Sequence, residues 1–300
     1  MSCLVLLNAR AGTLLTSRID DPRSLVEAAF REGGRDAEVV LAEPDDLAHH
    51  LRDSAVSDFD TVVVGGGDGT FSHALSVLAG SGKTLGLLPL GTMNLLGRDL
   101  GFSSPDLAVM ARELAAGGAR DADYGTINGE PFHTLCGLGY FSRVAREREQ
   151  TRSTLPFGRL LSVALSTWRS FASGGRMRIT VRTEDAEREI DAYALMVTNN
   201  RVGADWRRSR LDEGLLELHV MRDVPLMHRA RAGFELLAGK WREGDMVETL
   251  TAQRFEVASV RSRLWTTVDG ELRRERTPLA FEVVPGGISL LMPKATEESA

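Results

Sequence analysis

The chain has 300 residues, a formal net charge of −6 and 26% charged residues, which suits two modest domains or one large α/β unit with an insertion. The acidic balance gives no support for nucleic-acid binding, and no stretch reaches the roughly 18 apolar residues of a membrane-crossing helix. The run over 3–7 is too short for a secretory signal, and Cys3, Cys136 and the six histidines lack framework or metal-ligand spacing. The expectation is a cytoplasmic protein with buried free thiols whose contact with membranes is peripheral.

In chain order, the apolar run over 4–7 predicts a buried strand. A helix is predicted over 24–31, closed by Gly33-Gly34, then a strand over 38–41. Pro44-Asp45-Asp46 opens a helix over 45–53. The β-branched run over 61–64 predicts a buried strand, followed by Gly65-Gly66-Gly67-Asp68-Gly69-Thr70 and a helix over 71–79. A strand over 84–88 ends at Pro89-Leu90-Gly91-Thr92-Met93-Asn94, and Ser104-Pro105-Asp106 opens a helix that Gly117-Gly118 ends. This alternation implies a parallel sheet with helices on both faces. Ligands of such sheets bind beyond the carboxyl ends of the strands, so the loops at 8–12, 65–70 and 89–94 share one edge.

After about residue 122 the pattern changes. Strand-like runs over 131–137, 176–183, 189–198, 215–220, 255–259, 264–268 and 279–284 predict antiparallel sheet, with helical segments over 156–172 and 225–239 and one more strand after Gly286-Gly287. The domain reading is an α/β nucleotide-binding domain over 1–122, to which the chain end at 285–300 returns, and an antiparallel β-sandwich acceptor domain over 123–284.

Three glycines between a strand and a helix let main-chain N–H groups approach a phosphate, and the helix dipole favours the same anion. Asp68 inside that run repels phosphates unless Mg²⁺ or another cation mediates, which suggests a metal–nucleotide site. Neither the dinucleotide fingerprint nor the P-loop fits, since no Lys follows the last Gly; the plain alternative is a structural turn. Thr92 and Asn94 offer a hydroxyl and an amide for phosphate or ribose, or simply build a turn. Asp123 faces a cleft or caps a turn. Asp212-Glu213-Gly214 is a turn or a source of oxygens for a hard cation. Asp269-Gly270 signals a hairpin tip, and on that basis alone Glu271 is an exposed carboxylate just past it.

Taken together, Asn8-Ala9-Arg10-Ala11-Gly12, Gly66-Gly67-Asp68-Gly69-Thr70, Gly91-Thr92-Met93-Asn94, Arg98-Asp99-Leu100-Gly101, Asp123-Tyr124-Gly125, Gly137-Leu138-Gly139-Tyr140-Phe141, Asp212-Glu213-Gly214-Leu215 and Asp269-Gly270-Glu271 resemble, in order and over nearly the whole chain, the diacylglycerol kinase catalytic-domain family. That family includes bacterial lipid kinases and sphingosine and ceramide kinases. The resemblance implies an NAD-kinase/phosphofructokinase-like α/β domain binding ATP, a C-terminal β-sandwich, and transfer of the γ-phosphoryl of ATP to a lipid hydroxyl, with diacylglycerol the favoured acceptor. It implies that Asn8, Gly12, Gly65, Gly66, Gly67, Gly69 and Thr70, with Thr92 and Asn94, hold the nucleotide. It further implies that Asp68 and Asp123 shape the metal–nucleotide end and that Glu271 is the general base. Glu213, the Leu215 carbonyl and Asp212 match a structural Mg²⁺ site of some bacterial members. The partner is then a lipid at a membrane surface and not nucleic acid, and a homodimer stays open.

The chain departs from the family pattern in four places: Ala9 stands where Pro is usual, Ala42 where a Thr is common, Glu213 where Asp is common, and Arg201-Val202-Gly203-Ala204-Asp205-Trp206 replaces a glycine-rich stretch on the acceptor side. The last leaves the lipid open. Phe157, Leu160, Leu161, Ala164, Leu165, Trp168 and Phe171 fall at helical spacing, which suits a core helix or a membrane-facing one. Two other readings remain at this point: an NAD or sugar-phosphate kinase sharing the Gly-Gly-Asp-Gly-Thr loop, and a nucleotide- or lipid-binding regulator without turnover. The Gly91–Asn94 turn and Asp269-Gly270-Glu271 favour the lipid kinase over the first. Asp68, Asp123 and Glu271 together favour it over the second.

Overall fold

The computed structural model of the chain describes residues 2–17, 19–152, 176–184, 186–222 and 247–294, without the side chains of 147–152. The helices expected over 156–172 and 225–239, and with them the apolar stripe from Phe157 to Phe171, lie outside the described residues. Among the described residues no helix is long and apolar enough to cross a membrane. The chain divides into two units, Met1–Tyr124 with Pro285–Ala300, and Gly125–Val284.

The first unit runs β1 (Cys3–Asn8), α1 (Gly12–Thr16), α2 (Pro22–Glu32), β2 (Ala37–Ala42), α3 (Pro44–Ala55), β3 (Thr61–Gly66), α4 (Asp68–Leu78), β4 (Thr84–Pro89), α5 (Leu95–Leu100) and α6 (Leu107–Ala115). Its sheet has the order β2-β1-β3-β4, all parallel. Cys3, Val5 and Leu7 of β1 pack with Val26 and Phe30 of α2 and Met110 and Leu114 of α6. The intervening Leu4 and Leu6 are buried as well, because α3 lies against β1. Burial on both faces is why these strands read as continuous apolar runs instead of alternating ones. Helix starts follow the local chemistry: Asp21 caps α2 by accepting from Ser24 N at 3.1 Å ahead of Pro22, and Asp106 caps α6 through Ala108 N and Val109 N.

The second unit is antiparallel. After β5 (Gly118–Ile127), whose end it contains, come β6 (Glu130–Phe132), β7 (Leu135–Gly139), α7 (Tyr140–Arg152), β8 (Met177–Arg182), β9 (Glu187–Asn199), β10 (Leu216–Arg222), β11 (Val247–Ala252), β12 (Arg254–Ser259), β13 (Arg263–Val268), β14 (Glu271–Arg276) and β15 (Leu279–Met292). The strand order is β14-β13-β7-β9-β8-β12-β15, with β10 also on β9 and β11 on β10. Its core joins Cys136, Leu195, Val197, Leu218, Phe255, Val257, Leu264 and Phe281.

Two expectations change. The run over 131–137 is two strands, β6 and β7, because a carboxylate takes the amides of His133, Thr134 and Leu135 out of the ladder. The strands expected on either side of Gly286-Gly287 are one, β15, whose Arg254-facing half pairs with β12 and whose Ser289 and Leu290 pair with β4. Gly286 takes φ +57° without ending the strand. The short α1 and α5 and the charged edge strand β14 had no periodic signal to announce them.

Candidate active site

At the carboxyl edge of the first unit's sheet, the glycine-rich run is not a loop. Gly65 and Gly66 finish β3, Gly67 is the N-cap of α4, and Asp68, Gly69 and Thr70 are already its first turn. The turn after β4 lies against it. A Cβ on Gly91 would sit 2.4 Å from Gly67 Cα, and one on Gly67 would sit 3.2 Å from Gly91 Cα, so the two main chains touch with no room for a side chain. Leu90 N donates to Gly66 O at 2.8 Å, and Thr13 N donates to Leu90 O at 3.0 Å. Asn8 Nδ2 donates to Thr70 Oγ1 at 3.3 Å while Asn8 Oδ1 accepts from Arg10 N at 2.9 Å. Gly12 borders Thr92, whose Oγ1 would lie 3.8 Å from a Cβ there. The segments at 8–12, 65–70 and 89–94 are thus one assembly, built where three parallel strands end.

The N-terminus of α4 has no side-chain cap, which leaves its first N–H groups for another acceptor and its dipole for an anion. Thr92 is exposed and has a hydroxyl to offer. Asn94 behaves differently from the expectation of an amide offered to phosphate. It takes the left-handed conformation (φ 47°), accepts from Gly91 N at 2.8 Å, and donates to Pro89 O and Gly91 O at 3.1 and 2.8 Å. Both its amide hydrogens hold the turn.

Asp68 Oδ1 accepts from Leu95 N at 2.6 Å, so the carboxylate ties the start of α4 to the start of α5. Asp123, buried in β5, accepts from Gly286 N at 2.8 Å through Oδ1 and clasps β5 to the bend in β15. Each carboxylate therefore has a structural partner in addition to whatever it does for a ligand.

In the second unit, Glu271 is the first residue of β14, exposed, with Arg273 Nη2 3.1 Å from its Oε2. The tip that presents it is held by Asp269, which the sequence marked only as a turn residue. Asp269 is buried in the left-handed region (φ 47°) and Gly270 follows at φ 90°, the pair of conformations a tight hairpin requires. Its Oδ1 accepts from Thr134 N at 2.9 Å and Leu135 N at 3.1 Å, and its Oδ2 from His133 N at 2.9 Å. Around it, the buried Arg208 donates to Asn199 O at 3.3 Å and to His133 O, and Asn199 Nδ2 donates to His133 O at 3.2 Å. The Asn199-Asn200 pair at the end of a predicted strand was a faint signal of this network; Arg208 had none.

The residues expected to hold a metal at 212–215 meet protein partners. Arg201 holds both oxygens of Glu213, through its N at 2.8 Å and its Nη1 at 3.2 Å. The Leu215 carbonyl accepts from Asn200 N at 3.0 Å, and Asp212 pairs with Arg210 Nε at 3.0 Å. Among the described residues no group of three or more His, Cys, Asp or Glu could hold a metal ion. A guanidinium and main-chain amides fill the role that a hard cation would need several oxygens to fill, so these residues do not fit a structural Mg²⁺.

Residues 2–127 match the family model of the diacylglycerol kinase catalytic domain, and residues 135–292 match that of the YegS C-terminal NAD kinase beta sandwich-like domain. The fold is therefore an N-terminal α/β domain with parallel strands joined to an antiparallel β-sandwich. The chain belongs to the diacylglycerol kinase catalytic-domain family of lipid kinases, which implies a phosphotransferase that uses ATP. Among its relatives, a Pseudomonas aeruginosa (strain UCBPP-PA14) protein called "Probable lipid kinase YegS-like" is 31% identical over 89% of this chain and 88% of its own. The Bacillus subtilis (strain 168) "Diacylglycerol kinase" is 26% identical over 84% of each chain. A diacylglycerol kinase structure from Bacillus anthracis str. Sterne superposes with a TM-score of 0.69 over 97% of this chain and 96% of that one; at 17% identity this likeness speaks for the fold.

Proposed function

We propose that the protein transfers the γ-phosphoryl group of MgATP to the hydroxyl of a membrane lipid, a diacylglycerol-like acceptor in the first instance. The observation that carries this reading is the Gly67–Gly91 contact beside the uncapped N-terminus of α4, in a chain of the lipid kinase family. Two main chains that exclude every side chain beside a helix terminus suit a polyphosphate better than an uncharged ligand. Gly66, Gly67, Gly69 and Thr70 line the phosphates, Thr92 contributes its hydroxyl, and Asn8 and Asn94 keep these turns in register. Mg²⁺ arrives with the nucleotide as part of the substrate, and Asp68 and Asp123 set the polar surroundings of that end.

In the transfer, the acceptor oxygen forms the new bond to γ-phosphorus as the bond to the β–γ bridging oxygen breaks and ADP leaves. The transition state is loose, so positioning and charge neutralisation dominate. An alcohol loses its proton only as that bond forms, and Glu271 takes it on a carboxylate oxygen. Glu271 is exposed, with Arg273 Nη2 3.1 Å from its Oε2.

The test is transfer of labelled γ-phosphate from MgATP into a mixed lipid extract in detergent micelles, with NAD and sugar phosphates in parallel. A labelled lipid is expected and its analysis names the acceptor. Label in NADP or in a sugar phosphate alone overturns the lipid reading, and no label anywhere with ATP still bound turns it to a regulator.

A further inference from the structure

The β13–β14 hairpin that carries Glu271 sorts its charges by face. In the antiparallel register, Arg263 lies opposite Arg276 and Trp265 opposite Arg274, and directly opposed residues point to the same side of a sheet. One face therefore shows Arg263, Arg276, Arg274 and Trp265, all exposed, with the Arg274 guanidinium carbon 5.8 Å from the centre of the Trp265 ring. The hairpin's strand acids, Glu271 and Glu275, alternate onto the other face with Leu264 and Val268, and Asp269 is buried at the tip.

This grouping is unusual within the unit. Arg176, Arg178, Arg182, Arg188, Arg222 and Arg254 all reach a carboxylate. Among the described residues Arg261, Arg263, Arg274 and Arg276 reach none. Two arginines directly across a ladder repel one another, an arrangement that an external anion would relieve. In the turn leading into β13, Val260 is 90% exposed beside Arg261. An exposed Trp and Val among unpaired arginines is the pattern of a surface that meets phospholipid headgroups with its cations and the acyl boundary with its apolar groups.

We infer that the face of Val260, Arg261, Arg263, Trp265, Arg274 and Arg276 is a docking surface for an anionic phospholipid bilayer. It brings the strand that carries Glu271 to the lipid–water boundary. The inference deepens the lipid kinase reading and rests on it for its biological meaning. The exposed apolar Val260 and Trp265 favour a lipid surface over a nucleic acid, because a bilayer offers an acyl boundary for them to enter and a duplex backbone does not.

The experiment is co-sedimentation of the full chain, without nucleotide, with vesicles of phosphatidylcholine alone and of phosphatidylcholine mixed with phosphatidylglycerol. The wild-type chain is expected to bind the anionic vesicles at least ~10-fold more tightly and to lose that preference at high salt. Arg263→Gln, Arg274→Gln and Arg276→Gln together should weaken that binding by ~100-fold, roughly fivefold per arginine. Arg178→Gln, Arg182→Gln and Arg188→Gln, which remove ion-paired arginines of the same unit, should leave it within about twofold, since their charge is already neutralised by carboxylates. Equal losses in the two triple variants, wild-type-like binding by the first, no preference for anionic vesicles, or tighter binding to duplex DNA than to vesicles each overturn the inference. If the first triple variant fails to fold, Arg274→Gln and Arg276→Gln taken singly decide the matter on the same vesicles. Because no turnover is measured, failure of the kinase reading shows in the micelle assay and not here.

Discussion

At the edge of the first unit's sheet, Gly66, Gly67 and Gly91 let strands and turns touch, and side chains such as Asn94 and Asp68 are spent on holding main chain to main chain. At the β13–β14 hairpin, the main chain is ordinary ladder and a buried set of side chains, Asp269, Arg208 and Asn199, fixes the tip. The first design suits a ligand with several equivalent oxygens, which N–H groups and a helix dipole recognise wherever they converge. The second suits a single carboxylate that must meet one proton, since a base works only at hydrogen-bond distance. A phosphate site can be made of backbone; a base needs a side chain, and a side chain needs support.

The comparison breaks most visibly at Asp269. Asp269→Ala leaves three main-chain N–H groups inside the protein without their acceptor, and the expected loss is about 3–5 kcal/mol of unfolding free energy in a urea titration. A loss below about 1 kcal/mol would show that the tip is held by something else. Glu271→Gln separates support from chemistry: turnover falls at least ~100-fold while MgATP affinity and the unfolding midpoint hold, because an exposed carboxylate–arginine pair contributes little to stability. Near-normal turnover removes Glu271 from the mechanism.

Gly91→Ala tests the main-chain design. A Cβ 2.4 Å from Gly67 Cα and 2.7 Å from Asn94 Oδ1 forces the turn away. The expected cost is about 1–3 kcal/mol in stability, with MgATP binding weakened by roughly tenfold or more in calorimetry. Unchanged binding would mean that the nucleotide does not use this contact.

Each unit also carries one buried free thiol, Cys3 and Cys136, so the two can be compared by reactivity. Burial pushes the Cys3 thiol up to about 11, against a smaller opposing pull from Arg35, and burial likewise raises Cys136 well above the usual thiol range, with Asp269 adding to it. Both should resist alkylation at neutral pH until their own unit opens. The sign for stability follows from proton binding. Above the ordinary thiol value of 9.0 the unfolded chain ionises Cys3 and the folded chain does not until about 11. Stability is thus present below pH 9 and falls between 9 and 11 by roughly 1.4 kcal/mol per pH unit, and Cys3→Ala should flatten that slope. The smallest effect belongs to metal removal. With Arg201 on Glu213, EDTA in the absence of nucleotide should leave the melting temperature unmoved, while Arg201→Ala lowers stability by about 1–2 kcal/mol. An EDTA-induced drop in the wild-type chain would restore a cation to that turn.

Much of this molecule is legible in its residues because the relevant physics is local. The buried runs at Val62–Val64 and Leu85–Leu88 declare parallel strands. Asp21-Pro22, Pro44 and Asp106 declare helix starts, and the ordered glycine and aspartate motifs declare a kinase family. Asp269-Gly270 declares a hairpin because only a few residues tolerate its conformation. None of these needs knowledge of what lies far along the chain.

What tertiary structure alone decided is where a polar side chain finds its partner. Asp269 meets amides more than 130 residues away, Arg208 meets His133, and Glu213 meets Arg201. The passage of β15 through Gly286 depends on Asp123 being there to accept its N–H. Propensity and periodicity are properties of neighbours in sequence. A hydrogen bond or a like-charge pair between distant segments is a property of the packed chain, so only the fold could reveal it.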